Sequence, residues 1–409
     1  MYLCTMIINE QTWNFIRQHA NDDVRKLALQ GCKDAEVDLL MALQQIAGRQ
    51  TAKKKLPTWV EADGVIYPPH LNMEQCSSEQ TARYKASLIT SKGDTYVDLT
   101  GGFGVDFYWM SQGFKHRYYI EQNAELCAIA EHNFEVLGLE STVRCCDTAA
   151  YLTEMDHASV VFLDPARRNE HGGRTYDIRD CTPNVLELLP ILLEKADTII
   201  LKLSPMFDWR KAVSDLKYVS EVHIVSVANE CKELLLVLHQ QRVDRSSITC
   251  VNDDTVFKVF STLENDVFSP GKQCFPSGKT IVSLPENDDL RYLYEPNASI
   301  MKAGCFAEIE QQYPARQLST NSHLFLSSVE ITDFPGRRFQ IQSVSSMNKQ
   351  ELKSSLSEIK QANIAVRNFP LSVEQLRKKL RLKDGGDIYI FATTVGNNQH
   401  MLYICRKIG

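Results

Sequence analysis

Between residues 96 and 239 the chain sets short apolar runs against segments with the period of a helix, and most of the runs close on a polar residue. Tyr96–Leu99 leads into glycines, His116–Ile120 closes on Glu121, Thr142–Cys146 on Asp147, Ser159–Leu163 on Asp164 and Thr198–Leu203 on Ser204-Pro205. Runs that are apolar on both faces belong to strands buried inside a parallel sheet. Between the second and third runs, Asn123–Leu137 spaces Leu126, Ile129, Ala130, Phe134 and Leu137 as a helix does, and Gly138 stops it. The last two runs, Glu221–Val227 and Leu234–His239, are joined only by residues 228–233. A parallel crossover needs about a dozen residues, so these two strands pair antiparallel. The pattern predicts an α/β fold with a seven-stranded, mostly parallel Rossmann-like sheet and one antiparallel strand.

Residues 9–50 carry helical spacing, with Val24, Leu27 and Ala28, then Val37, Leu40, Leu43 and Ile46, as core faces of an N-terminal helical lobe assigned to residues 1–70. Lys53-Lys54-Lys55 before Pro57 reads as an exposed linker. Ser77–Gln80 fits a capping box opening a helix through Thr81, Arg83, Tyr84 and Lys85, placed to lid a site at the sheet edge. Beyond Gln240 the pattern changes to short alternating strands, such as Thr255–Phe260 and Ser322–Ile331, and predicts a separate C-terminal α+β domain. Glu374–Lys383 reads as a helix with Leu376 and Leu380 inward and Arg377, Lys378, Lys379 and Arg381 outward. Gly385-Gly386 ends it, and Asp387–Thr394 reads as a strand.

The chemistry concentrates where the first strand enters Asp98-Leu99-Thr100-Gly101-Gly102-Phe103-Gly104. Glycines let a backbone turn sharply and approach a ligand, so a strand feeding such a turn builds a cradle at the carboxyl edge of a parallel sheet. Glu121, roughly two dozen residues beyond Asp98, is placed to accept ribose hydroxyls, and Asp147 to accept an adenine amino group. A pyrophosphate cofactor needs a third glycine where this chain has Phe107, which disfavours nicotinamide and flavin dinucleotides.

In this register, residues 71–240 resemble the class I S-adenosylmethionine-dependent methyltransferases. The resemblance implies S-adenosylmethionine as cofactor, held at Asp98, Thr100, Gly101, Gly102, Phe103, Gly104, Glu121 and Asp147, with Asp164 and Pro165 at the catalytic motif. The nitrogen-methylating enzymes follow that acid with two prolines and an aromatic ring. Here Ala166 and Arg167 stand in the last two places. Arg167, Arg168 and Arg174 put positive charge beside the site and favour an anionic substrate such as a phosphate backbone. Pairing of these arginines with Glu170, Asp177 and Asp180 is the structural alternative. No cysteine follows Pro165, which argues against covalent attack on a pyrimidine, and Cys145 and Cys146 read as core.

With 409 residues and 44% apolar content, the chain accommodates two or three globular domains. It has no apolar stretch of about 18 residues and no secretory pattern at residue 1, so a cytoplasmic protein without membrane partners is expected. Twelve cysteines without a paired CxxC spacing read as reduced thiols, with no metal site. The net charge of −6 is uneven: residues 335–409 hold 13 Lys and Arg against 5 Asp and Glu, a balance of +8, leaving −14 for the rest. The strings Tyr294–Gly304, Phe334–Phe339 (with Arg337 and Arg338) and Asp384–Asp387 resemble a bacterial methyltransferase family with ferredoxin-like and THUMP-like C-terminal regions, here residues 244–320 and 321–409. THUMP domains bind RNA, chiefly tRNA. The resemblance therefore implies transfer to a base nitrogen of tRNA or rRNA, gripped through Arg337, Arg338 and the basic helix, although the better-known THUMP enzymes place that domain before the catalytic one. Two other classes remain at this point: a non-catalytic RNA-binding or assembly protein that keeps the fold, and a methyltransferase acting on a small molecule or protein.

Overall fold

Asn9, Asp23 and Asp38 each lend a side-chain oxygen to backbone N–H groups two or three residues on, and each opens a helix: α1 (Glu10–Gln18), α2 (Val24–Gln30) and α3 (Leu39–Lys55). They belong to a computed structural model that describes residues 8–90, 93–167, 177–242, 245–262, 290–396 and 398–408. Pro57, which lacks an N–H, sits at the start of α4 (Pro57–Glu61) directly after α3. Lys53-Lys54-Lys55 is therefore the last turn of α3 and not a linker. Cations suit the negative end of a helix, and Lys55 Nζ donates to the carbonyls of Met73 and Glu74 at 2.8 and 2.7 Å. The buried face of α3 is Ala42, Gln45, Ile46, Gly48 and Ala52. Leu40, expected inside, is 82% exposed, because 100° per residue turns it away from Ala42 and Ile46. Ala28 is exposed as well. Two more helices follow, α5 (His70–Gln75) and α6 (Glu79–Ser87), the latter capped by Ser78, one residue beyond the expected Ser77.

Strands and helices then alternate: β1 (Thr95–Asp98), α7 (Val105–Met110), β2 (His116–Glu121), α8 (Ala124–Val136), β3 (Thr142–Cys145), α9 (Thr148–Glu154) and β4 (Ala158–Leu163). After the short pair β5 (Ala166–Arg167) and β6 (Cys181–Thr182) come α10 (Val185–Lys195), β7 (Ala196–Leu203), α11 (Trp209–Leu216), β8 (Val219–Val227), β9 (Glu230–His239), β10 (Arg245–Asn252) and β11 (Thr255–Thr262). The main sheet has nine strands in the order β11-β10-β8-β9-β7-β4-β1-β2-β3, where seven were expected. β1 runs parallel to β2 and β4, β2 to β3, and β4 to β7. Neighbours in that order and joined only by Ala228 and Asn229, both at positive φ (50° and 62°), β8 and β9 form a tight antiparallel hairpin. The two further strands come from residues expected to open a new domain: β10 lies parallel to β8, and β11 antiparallel to β10. β11 buries Phe257 and Val259 and exposes Val256 and Phe260, the alternation of an edge strand with one covered face. At the other edge, β3 leaves Cys145 exposed and Cys146 only partly covered, so neither is core.

The chain divides into two compact units, Met1–Ser220 with Leu235–Val243, and Glu221–Leu234 with Asp244–Gly409. In the first, Tyr96, Phe107, Phe114, Tyr119, Phe134 and Phe162 form an aromatic core, with Phe107 and Phe134 rings 4.9 Å apart. The second adds β12 (Tyr292–Pro296), α12 (Ala298–Ala303), α13 (Phe306–Gln312), β13 (Arg316–Gln317), β14 (Phe325–Ser327), β15 (Gly336–Ser346), α14 (Lys349–Leu356), β16 (Asn363–Arg367), α15 (Val373–Leu380), β17 (Ile388–Val395) and β18 (Gln399–Lys407). Its sheet runs β13-β14-β12-β15-β18-β17-β16, antiparallel except for β16 beside β17. Of the expected strand Ser322–Ile331 only Phe325–Ser327 forms. Helix α15 carries a full capping box at Ser372 and Gln375 and stops at Leu380, where Arg381 takes a left-handed φ of 59°. The glycines expected to end it lie further on, at φ 94° and 82°, and turn the chain into β17.

Candidate functional site

Four adjacent parallel strands, in the order β4-β1-β2-β3, deliver acids to one edge of the sheet: Asp164 just after β4, Asp98 at the end of β1, Glu121 at the end of β2, and Asp147 just after β3. Asp98 is buried, and its Oδ1 accepts the Thr100 N–H at 2.9 Å while Oδ2 has no hydrogen-bond partner among the described residues. Burial pushes its carboxyl well above the usual range. The Thr100 amide pulls it back, and the charges of Asp106, Asp164 and Glu121 push it up again. The glycine turn rests on the aromatic core. A Cβ on Gly101 would lie 2.1 Å from the Tyr119 ring, and one on Gly104 2.7 Å from Phe134. At Gly102, φ is 56° and, among the described residues, an added Cβ would meet nothing closer than the Thr100 carbonyl at 3.9 Å, so those residues leave the turn open on that side. Phe103 is buried edge-on against Trp59, 5.0 Å between ring centres, and acts as an anchor of the turn.

Glu121 is held by the turn itself, Oε2 accepting the Gly102 N–H at 2.9 Å and Oε1 the Asn123 N–H at 2.8 Å. An ionised carboxylate offers about four acceptor directions, so two amide bonds leave room for a diol. Asp147 caps α9, its Oδ1 accepting the N–H groups of Ala149 and Ala150 at 2.9 and 3.0 Å. Thr100 ties the turn to the next strand, its hydroxyl accepting the Asp164 N–H at 2.6 Å. Pro165 is buried. A buried acid with an unpartnered oxygen, an open glycine turn and a fixed diol acceptor fit a cationic nucleoside without pyrophosphate.

Sequence reasoning missed a buried ion relay beside these acids. Lys85, on α6, is fully buried with Nζ 3.1 Å from Asp106 Oδ1 on α7. Ser77 donates to Asp106 Oδ2 at 2.7 Å and accepts from Lys85 at 3.1 Å. Lys202, near the end of β7, lies 3.6 Å from Asp106 and 2.5 Å from Asp164 Oδ2. Burial alone would raise the Asp106 carboxyl, but the charges of Lys85 and then Lys202, with hydrogen bonds from Ser77 and Lys85, hold it below the usual range. The available signal was a lysine inside the apolar run Ile199-Ile200-Leu201-Lys202-Leu203.

The basic residues divide. Arg168 and Arg174 lie outside the described residues, as does the side chain of Arg167. Asp177, one of their suggested partners, pairs with Arg179 and Lys211 at 2.7 and 2.9 Å, and these hydrogen bonds hold its carboxyl low. In the second unit Arg337 and Arg367 converge on the buried carboxylate of Glu295, and Arg338 reaches Glu330 at 3.4 Å. Arg377 turns back to the Ala362 carbonyl and to Asp384, at 3.0 and 2.6 Å. Lys378, Lys379 and Arg381 are exposed. Among the described residues no cluster of His, Cys, Asp and Glu suits a metal ion, and no helix is long and apolar enough to cross a membrane.

Comparison with known proteins matches residues 292–335 to a ferredoxin-like domain model and residues 336–407 to a THUMP domain-like model. A crystal structure from Porphyromonas gingivalis W83, described as a candidate methyltransferase, is 30% identical with a TM-score of 0.82, over 99% of this chain and 100% of that one. Two uncharacterized S-adenosylmethionine-dependent methyltransferases from Mycobacterium tuberculosis, strains CDC 1551 / Oshkosh and ATCC 25618 / H37Rv, are each 22% identical over 343 residues, 82% of this chain and 87% of theirs.

Proposed function

Because the chain belongs to the S-adenosylmethionine-dependent methyltransferase family with ferredoxin-like and THUMP-like C-terminal segments, we propose that it methylates RNA, at a base nitrogen of tRNA or rRNA, in the cytoplasm. The observation that carries the reading is the row of acids at the edge of β4-β1-β2-β3, joined to a C-terminal segment that is net basic and THUMP-like. S-adenosylmethionine is the cofactor, and when bound it supplies an electrophilic methyl group on a sulfonium.

In this reading Asp98, with its unpartnered oxygen, faces the cation, the turn from Thr100 to Gly104 shapes the cradle, Glu121 takes the ribose diol, and Asp147 faces the adenine. Asp164 and Pro165 line the acceptor side. Methyl transfer is an in-line displacement, so the protein's work is alignment and handling of the acceptor's proton. A carboxylate at Asp164 accepts a hydrogen bond from the acceptor nitrogen and stabilises the positive charge that grows there as the new bond forms. Arg167, Arg168 and Arg174 are proposed to meet phosphates near the site, and Arg337, Arg338, Arg377, Lys378, Lys379 and Arg381 to grip structured RNA. Of the last group, the exposed Lys378, Lys379 and Arg381 suit phosphate binding best.

Mass spectrometry of RNA nucleosides from cells with and without the gene tests the proposal. One methylated nucleoside should disappear with the gene, and an unchanged set of modified nucleosides contradicts an RNA target.

A further inference from the structure

We propose that Lys202 is a positioning residue for methyl transfer: it fixes Asp164 as an ionised, accept-only carboxylate, so the acceptor atom must itself carry a hydrogen. The proposal rests on the reading of Asp164 as the residue that faces the acceptor. Lys202 is the third member of a chain of alternating charge that begins at Lys85, passes through Asp106, and ends at Asp164. The chain draws on α6, α7, β7 and the end of β4, four separate elements of the first unit. Lys85 is fully buried and Asp106 and Lys202 nearly so, whereas the Asp164 side chain is 38% exposed and meets solvent. An ammonium 2.5 Å from a carboxylate oxygen keeps that carboxylate charged and narrows its rotamers. The second restraint is the Thr100 hydroxyl on the Asp164 N–H, so both backbone and side chain are held from within the fold.

The chemical consequence concerns the acceptor. A protonated carboxyl could donate to the bare lone pair of a ring nitrogen, but an ionised one only accepts. Of the nitrogens in RNA bases, those with hydrogen, above all exocyclic amines, can donate to Asp164 while presenting a lone pair to the methyl group; as the N–C bond forms the sulfonium S–C bond breaks, S-adenosylhomocysteine leaves, and the surplus proton passes along that hydrogen bond to Asp164 and on to solvent. Ring nitrogens without hydrogen cannot. Among the described residues, Asp98 on β1, Glu121 on β2, Asp106 on α7 and Lys85 on α6 are charged groups about this corner, and three of these four are acids. Lys202 sets a positive charge against them at the Asp164 carboxylate.

The test uses the full chain with S-adenosylhomocysteine bound and aspartate labelled at the carboxyl carbon, the Asp164 signal being identified by its loss in Asp164→Asn. Lys202→Met should raise the Asp164 titration midpoint by about one unit or more, and Lys202→Arg should largely restore it. Methyl transfer to RNA should fall about 100-fold in Lys202→Met with cofactor affinity unchanged, recover in Lys202→Arg, and show no further loss when Lys202→Met is added to Asp164→Asn. An unmoved midpoint, or a Lys202→Met loss that persists in full on Asp164→Asn, overturns the proposal. So does a product methylated on a ring nitrogen that had no hydrogen. If the wild type labels no RNA, the RNA reading fails by itself, and the titration still decides the role of Lys202.

Discussion

Asp106→Asn should be the most damaging isosteric change in the first unit. Asp106 lies between two lysines, 3.1 Å from Lys85 Nζ and 3.6 Å from Lys202 Nζ, with Ser77 donating at 2.7 Å. At an effective dielectric constant of about 20 each ion pair is worth about 5 kcal/mol of gross attraction, most of which offsets the cost of burying the charges. Asparagine keeps the shape and removes the anion that faces the fully buried Lys85, so the expected loss is about 3–5 kcal/mol. Lys85→Met deletes the buried cation and leaves Asp106 with Lys202 and Ser77, at an expected cost of about 1–3 kcal/mol. All four tryptophans, Trp13, Trp59, Trp109 and Trp209, lie in the first unit, so urea unfolding followed by tryptophan fluorescence reads that unit alone. With a slope of about 1–3 kcal/mol per molar urea, Asp106→Asn should lower the midpoint by more than about 1 M and by clearly more than Lys85→Met does. Because Asp106 is held below its unfolded value, its contribution is complete above about pH 4 and is lost as pH falls through the lower folded value. The two proteins should therefore converge in acid. A loss below about 1 kcal/mol, or one no greater than that of Lys85→Met, would refute the reasoning.

Three further outcomes are expected. Asp98 is raised when folded, so it opposes folding increasingly as pH climbs from its unfolded value, about 3.9, towards the folded one; a cationic cofactor favours its ionised form, so calorimetry in buffers of different ionisation heat should show proton release on S-adenosylmethionine binding, abolished in Asp98→Asn. Gly101→Ala forces a Cβ to 2.1 Å from the Tyr119 ring and should cost about 1–3 kcal/mol in urea titration. Changing Lys378, Lys379 and Arg381 to glutamine should weaken RNA binding and flatten its dependence on salt by about 0.7–0.9 for each phosphate no longer neutralised; an unchanged slope places the RNA elsewhere.

Elements that declare themselves locally were legible in the sequence. The start of the helix at Asn123, the spacing of Leu126, Ile129, Ala130 and Phe134, and the stop near Gly138 fall where expected because each rests on nearest-neighbour chemistry. The acids at the ends of β4, β1, β2 and β3 were equally visible, since strand ends in a parallel sheet meet at one edge. What escaped depended on distant partners. The pairing of β10 with β8 is a long-range choice that alternating polarity alone does not encode. Lys85, Asp106 and Lys202 looked like ordinary helix and strand residues until three elements brought them together. In the same way, Arg337 and Arg377 read as outward charges, yet Glu295 and Asp384 lie close enough to turn them into structural ties.

Transfer of tritium from S-adenosylmethionine to total RNA by the purified full chain tests the central claim most directly. The account predicts label in RNA with the wild type and its loss in Asp164→Ala, with S-adenosylhomocysteine binding retained in both. No label in any RNA from a wild-type protein that binds the cofactor would contradict it.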